Sequence, residues 1–151
     1  MKFRDRFCSP EGAKRLVELG IRQGTLWYWI INEAMPSMDP FLFEHDCDIL
    51  NDLRKHHKKY PAFDLLDLGI MLSINSSRNH KRYNYNFLVK SYWEDKDPQK
   101  WFCGDIDLNS RVFGEGSWGR TQVEAREKRL IWLIENNRID VKDINRLKLG
   151  I

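Results

Sequence analysis

Residues 110–137 read SRVFGEGSWGRTQVEAREKRLIWLIENN, a glycine-rich segment running straight into a helical pattern. Thr121 and Glu124 stand at the T-x-x-E spacing of a capping box, so the spacing predicts a helix over 121–137. It should end at Asn136 and Asn137, because asparagine tolerates a left-handed cap. The residues before it, with Gly114, Gly116, Gly119, Trp118, Arg111 and Arg120, read as a loop. Backbone donors, the positive end of the helix dipole and Arg120 would converge where that loop ends, which suits an anion. The glycine spacing matches neither the phosphate-binding loop of NTPases nor the dinucleotide fingerprint, which disfavours NTP hydrolysis and dinucleotide redox chemistry.

Working outward, Ser9-Pro10-Glu11 supplies an N-cap, a first-turn proline and an acid, with Ala13, Leu16 and Val17 following at helical spacing; a helix over 10–19 is expected. TLWYWIIN at 25–32 is aromatic and β-branched on both faces and reads as a strand. Residues 33–59 read as a charged, variable arm carrying an amphipathic helix near 46–58, acids first and bases last. Pro61 restarts the pattern, and Phe63, Leu66 and Ile70 share the apolar face of a helix over 61–72. After a polar turn, strands at 84–93 and 100–108 flank EDKDPQ and should form an antiparallel hairpin. A short last helix begins at Asp140. The expected fold is α+β, a small mainly antiparallel sheet with strands near 25–32, 84–93 and 100–108 packed by helices near 10–19, 61–72 and 121–137, in a single domain over 1–151.

The 151 residues are 42% hydrophobic, enough for a core without staples, and the net charge of +3 permits an anionic partner without demanding one. Cys8, Cys47 and Cys103 have no paired spacing, which points to a reduced, cytoplasmic chain rather than a disulfide or zinc framework. No run is long and apolar enough for a membrane span. The histidines and acids at His45, Asp46, Cys47, Asp48, His56 and His57 form no metal-ligand pattern, and no nucleophile–base arrangement suggests itself, so neither metal, cofactor nor catalytic residue is expected.

Six Trp, five Tyr and eight Phe are the compositional outlier. Aromatic rings fill cores or stack on flat ligands, and a nucleotide needs such platforms beside cationic donors for its phosphates. Trp27, Trp29, Trp93, Trp101 and Trp118 are candidates for the first role; Arg78, Lys81, Arg82, Arg111 and Arg120 for the second. The preferred set is Trp118, Arg120, Thr121, Arg111, Trp27 or Trp29 (whichever is exposed), Arg78 and Arg82. Trp118, between glycines, is equally readable as a plug over a sheet edge. The basic runs at 54–59 and 78–82 also allow nucleic-acid contacts, although nearby acids weaken such a surface. Exposed aromatics and arginines are equally the stuff of protein interfaces.

Taken together, FCSPEGAKRLVELGI, TLWYWI, YPAFDLLDLGIML and GEGSWGRTQVEAREKRLIWLIENNRI resemble a set of short proteins carried by phages and mobile elements of gut bacteria. The resemblance covers most of the chain except 33–59 and transfers no catalytic residue. It implies a phage accessory protein in the host cytoplasm that counters defence, one strategy being to sequester a cyclic-nucleotide or cyclic ADP-ribose type signal without cleaving it, as a homodimer. The alternative it leaves open is an inhibitor that blocks a host protein through the 33–59 arm.

Overall fold

The computed structural model describes residues 1–45, 56–78, 83–90, 101–107 and 112–149. A short 3-10 turn, Phe3–Arg6, precedes α1 (Pro10–Glu18), and β1 (Trp27–Asn32), β2 (Phe41–Glu44) and β3 (His57–Pro61) follow. Then come α2 (Leu65–Arg78), β4 (Tyr83–Lys90), β5 (Trp101–Asp107), β6 (Val112–Gly119), α3 (Gln122–Glu135) and α4 (Val141–Arg146). The α+β class is as expected, but hydrogen bonding divides the strands over two antiparallel sheets, ordered β2-β1-β3 and β4-β5-β6. Among the described residues no helix is long and apolar enough to cross a membrane.

The helix ends obey local rules. Ser9 caps α1 through Gly12 N–H at 2.9 Å, and Gly20 (φ 101°) closes it, with Ile21 N–H reaching Leu16 O at 3.0 Å. At the end of α3, Asn137 takes the left-handed conformation (φ 56°), and Arg138 N–H bonds Leu133 O at 2.8 Å. In α2, Asp64 Oδ1 accepts from Leu66 and Asp67 N–H at 2.8 and 2.9 Å, while Asp67 Oδ2 accepts from Asp64 N–H at 3.3 Å. That reciprocal cap starts the helix at Leu65 instead of 61, because Pro61 is still in β3, paired with Tyr28. Its buried face also differs from the expected one: Leu68, Met71 and Leu72 enter the core, whereas Leu66 is 68% exposed and Ile70 36%.

Two sequence expectations need correction. The arm at 33–59 is built into the first sheet: β2 and β3 flank β1, and Lys58 and Tyr60 both reach Glu33, at 2.9 and 2.7 Å. His57 and Lys58, expected at the end of a helix, are in the β3 strand because Asn32 and Ile31 of β1 offer them a ladder; the expected helical residues 46–55 lie outside the described residues. The glycine-rich loop is in fact a strand, β6, the outer member of the second sheet. Gly104 faces Gly116 across β5 and β6, and a Cβ at Gly116 would overlap the Phe102 ring. The glycines make room for an aromatic ring and for close helix packing, so their density needs no ligand to explain it.

α3 touches β6, β5, β4, α2 and α1. Its neighbours on so many sides bury two charged residues, Glu127 and Arg129, alongside Val123, Ala125, Leu130, Leu133 and Ile134. Glu127 accepts from Ser9 N–H and Ser9 Oγ–H, both at 2.7 Å, so a carboxylate of the last long helix steadies the first turn of α1. Gly12 permits that approach, since any Cβ there would overlap the carboxylate. Glu127→Ala should therefore cost about 2 kcal/mol in urea unfolding, the range for charge-assisted bonds, with Glu127→Gln recovering part of it; full recovery in the Gln variant, which keeps the side chain's shape, would assign the effect to packing instead.

Candidate functional site

A cavity of about 890 Å³ opens where the first turn of α2, the start of α3, the start of β5 and residues 1–6 meet. Its apolar walls come from Met1, Leu65, Leu66, Trp101 and Val123, and its cations are Arg6, Arg120 and Arg126. Each cation is placed by a different element. Arg120 follows Gly119, where the strand is pressed against α3, and it is exposed. Its guanidinium makes no hydrogen bond or ion pair among the described residues. Arg126 lies across α2, its Nη1 donating to Leu65 O at 2.6 Å, and Gly69 leaves the space, since a Cβ there would stand 2.6 Å from the same nitrogen. Arg6 packs over the Phe3 ring, 5.6 Å from its centroid.

The acids of this cavity are largely engaged. Asp64 caps α2, and Asp5 Oδ2 accepts from Lys2 N–H at 3.0 Å. The start of α3 is also self-satisfied in part: Thr121 Oγ1 accepts from Glu124 N–H at 3.1 Å, and Glu124 Oε2 accepts from Arg120 N–H at 2.7 Å. Burial raises the Glu124 pKa, but Lys128 at 2.9 Å and the Arg120 N–H outweigh it and hold the carboxyl below its ordinary range. A carboxylate thus stands at the helix start, where the sequence suggests an anion. The cationic groups around the cavity are therefore its guanidinium groups, while the helix start is already faced by a carboxylate.

Of the residues expected in a site, Arg120 and Thr121 line this cavity, and Trp101, one of the wider stacking candidates, joins them. Trp118 does not. It faces Phe102 across the β5–β6 ladder, ring centroids 5.1 Å apart, and alternation along the strand puts it on the sheet face opposite Trp101. Trp29 is the inward member of its pair, 2% exposed, with Nε1 donating to Cys8 O at 2.8 Å; it is a core residue and no stacking platform. Trp27 is half-buried against Phe3 and Phe7, at 5.0 and 6.0 Å, and lines a neighbouring cavity of about 510 Å³. Arg78 ends α2, thirteen residues from Leu65 and so about 20 Å along the axis from the cavity. Arg82 and Arg111, together with Lys81 and Trp93 of the wider set, lie outside the described residues.

No known family, curated protein or solved structure matches the chain. Function must therefore be read from the cavity itself. Sequence reasoning missed Arg6 and Arg126. The second was findable, because Arg126 lies four residues beyond Gln122 and so on the face of the helix that opens on the cavity. Nothing local marks Arg6, which arrives through the pairing of Phe7 with Asp64. The described cysteines are poor nucleophiles: burial pushes the Cys8 thiol far above its ordinary range and the Cys103 thiol up to about 12.

Proposed function

We propose that the chain binds a nucleotide-type small molecule in this cavity and holds it without transforming it. The observation that supports the reading is Trp101 standing with Arg6, Arg120 and Arg126 around an apolar space of about 890 Å³. Such a space is of the order that small-molecule sites occupy, roughly 300–1,000 Å³. The indole offers a face to a base, and the guanidinium groups offer fixed donors to a phosphate. With the phage resemblance, the reading becomes sequestration of a cyclic-nucleotide or cyclic ADP-ribose type defence signal in a bacterial host, by a chain that acts as a homodimer.

Calorimetric titration with mononucleotides, cyclic nucleotides and cyclic ADP-ribose isomers tests it. Binding is expected, and Arg120→Ala should weaken it about tenfold or more, the loss of a charge-assisted contact. The same variant should change stability by less than about 0.5 kcal/mol, because Arg120 is exposed. Uniform absence of heat across the panel would overturn the proposal.

A second reading, inhibition of a host protein, has its own observation. Met35, Met38 and Phe41 are all exposed at the β1–β2 hairpin, inside the arm to which the sequence assigns that role. A stoichiometric protein partner lost on Phe41→Asp and kept on Arg120→Ala would favour it.

A further inference from the structure

The ligand has two flat rings joined by an anionic linker, we infer, and its second ring sits in the smaller cavity beside Trp27. This rests on the reading of the larger cavity as a nucleotide site. The two cavities, about 890 and 510 Å³, share Arg6, Asp64 and Leu66 in their walls, so they meet along one edge. Each carries an indole, Trp101 in the larger and Trp27 in the smaller. Among the described residues, Arg6 is the one cation common to both.

Exposure points the same way. Of the eight large hydrophobic side chains left exposed among the described residues, five line one or other cavity: Met1, Phe3, Leu26, Leu66 and Ile70. Scattered apolar residues need no explanation, but a concentration around two adjoining hollows does. A phosphate linker at Arg6 would leave a ring on either side of it, each against an indole and apolar rim. Stacking of this kind tolerates any base, since every base has a π-face. A mononucleotide would fill one cavity and leave the other's rim in water.

The test is titration of the full chain with adenosine monophosphate and with a phosphodiester-linked adenosine dinucleotide. Two tethered rings gain from effective concentration, so the dinucleotide should bind about 100-fold more tightly. Trp27→Leu should erase that gain and leave mononucleotide affinity unchanged. Leu26→Glu, at a position 49% exposed and therefore safe for folding, should do the same by placing a carboxylate in the second cavity. Equal affinities for the two ligands, or a gain that survives both substitutions, would overturn the two-ring assignment while leaving the larger cavity as a mononucleotide site. Failure of both ligands to bind would overturn the assignment together with the reading beneath it.

Discussion

Arg129→Ala should lower the stability of the fold by about 3–5 kcal/mol at neutral pH, the cost of leaving buried charge without its partner. The Arg129 side chain is 1% exposed, with Nη2 at 3.4 Å from Asp105 Oδ1 and Nη1 at 3.4 Å from Glu115 Oε1, so one guanidinium joins β5 and β6 to α3. Its carbon centre also lies 5.2 Å from the Trp132 ring. Asp105 carries the pH signature. Burial raises its pKa, and Arg129 is the strongest influence pulling it back.

A carboxyl whose folded pKa lies above its unfolded value binds its proton more tightly when folded. Its penalty is absent below the unfolded pKa and grows as pH rises through the folded one. Removing Arg129 pushes Asp105 higher still, so the deficit of the variant should shrink on acidification from neutral pH toward the carboxylate range. Urea unfolding of both proteins at two pH values measures this directly, and the other raised acids, Glu127 and Asp67, cancel in the difference. A deficit independent of pH would show that Arg129 acts by packing on Trp132 rather than by charge.

Gly119→Val should cost about 3 kcal/mol, the upper end of the usual range for overpacking. A Cβ at Gly119 would stand 2.9 Å from Ala125 Cα and from Glu124 C, and closer still to Ala125 N. Those atoms are the backbone of α3, so no side-chain rotation relieves the clash. Gly114→Val in the same strand is the control: its Cβ would meet Asp105 Cβ at 3.3 Å, a contact that a small shift absorbs. Thermal unfolding should separate the two variants clearly, and equal melting temperatures would refute the close strand–helix contact. The consequence reaches the cavity, because Gly119 immediately precedes Arg120. A helix forced away from the strand would carry Thr121, Gln122 and Arg126 with it, and affinity for the proposed nucleotide ligand should fall along with stability.

In sequence β6 looks like a loop, because its three glycines carry little strand propensity. What makes the segment a strand is pairing with β5, whose Phe102 needs the space that Gly116 leaves, and the propensity of the glycines does not announce that pairing. His57 and Lys58 escape local reading for the same reason, since the partner that turns a basic run into a strand is β1. The start of α2 at Leu65 is a different case: Asp64 and Asp67 spell a reciprocal cap that is legible locally, and the proline at 61 draws the boundary away from it.

Within the site, Arg120 and Thr121 are readable because they sit at a helix start announced by its own capping residues. Trp27 and Trp29 are readable as a pair but not as individuals. Alternation says that they share a strand face; it does not say which of them Phe3 and Phe7 will border or which will bond Cys8 O.

The sequence by itself determined where α1 and α3 begin and end, since a cap is a bond between groups three to five residues apart: Ser9 to Gly12, Thr121 to Glu124, Leu133 to Arg138. It likewise marked the aromatic strand and the α+β class. Only the tertiary structure decided that strands flank β1, that the glycines serve packing, and that Arg6, Arg126 and Trp101 converge with Arg120. Burial, ladder pairing and the meeting of cations are set by residues that the chain brings from far away, and a side chain's environment is fixed only when those remote partners arrive.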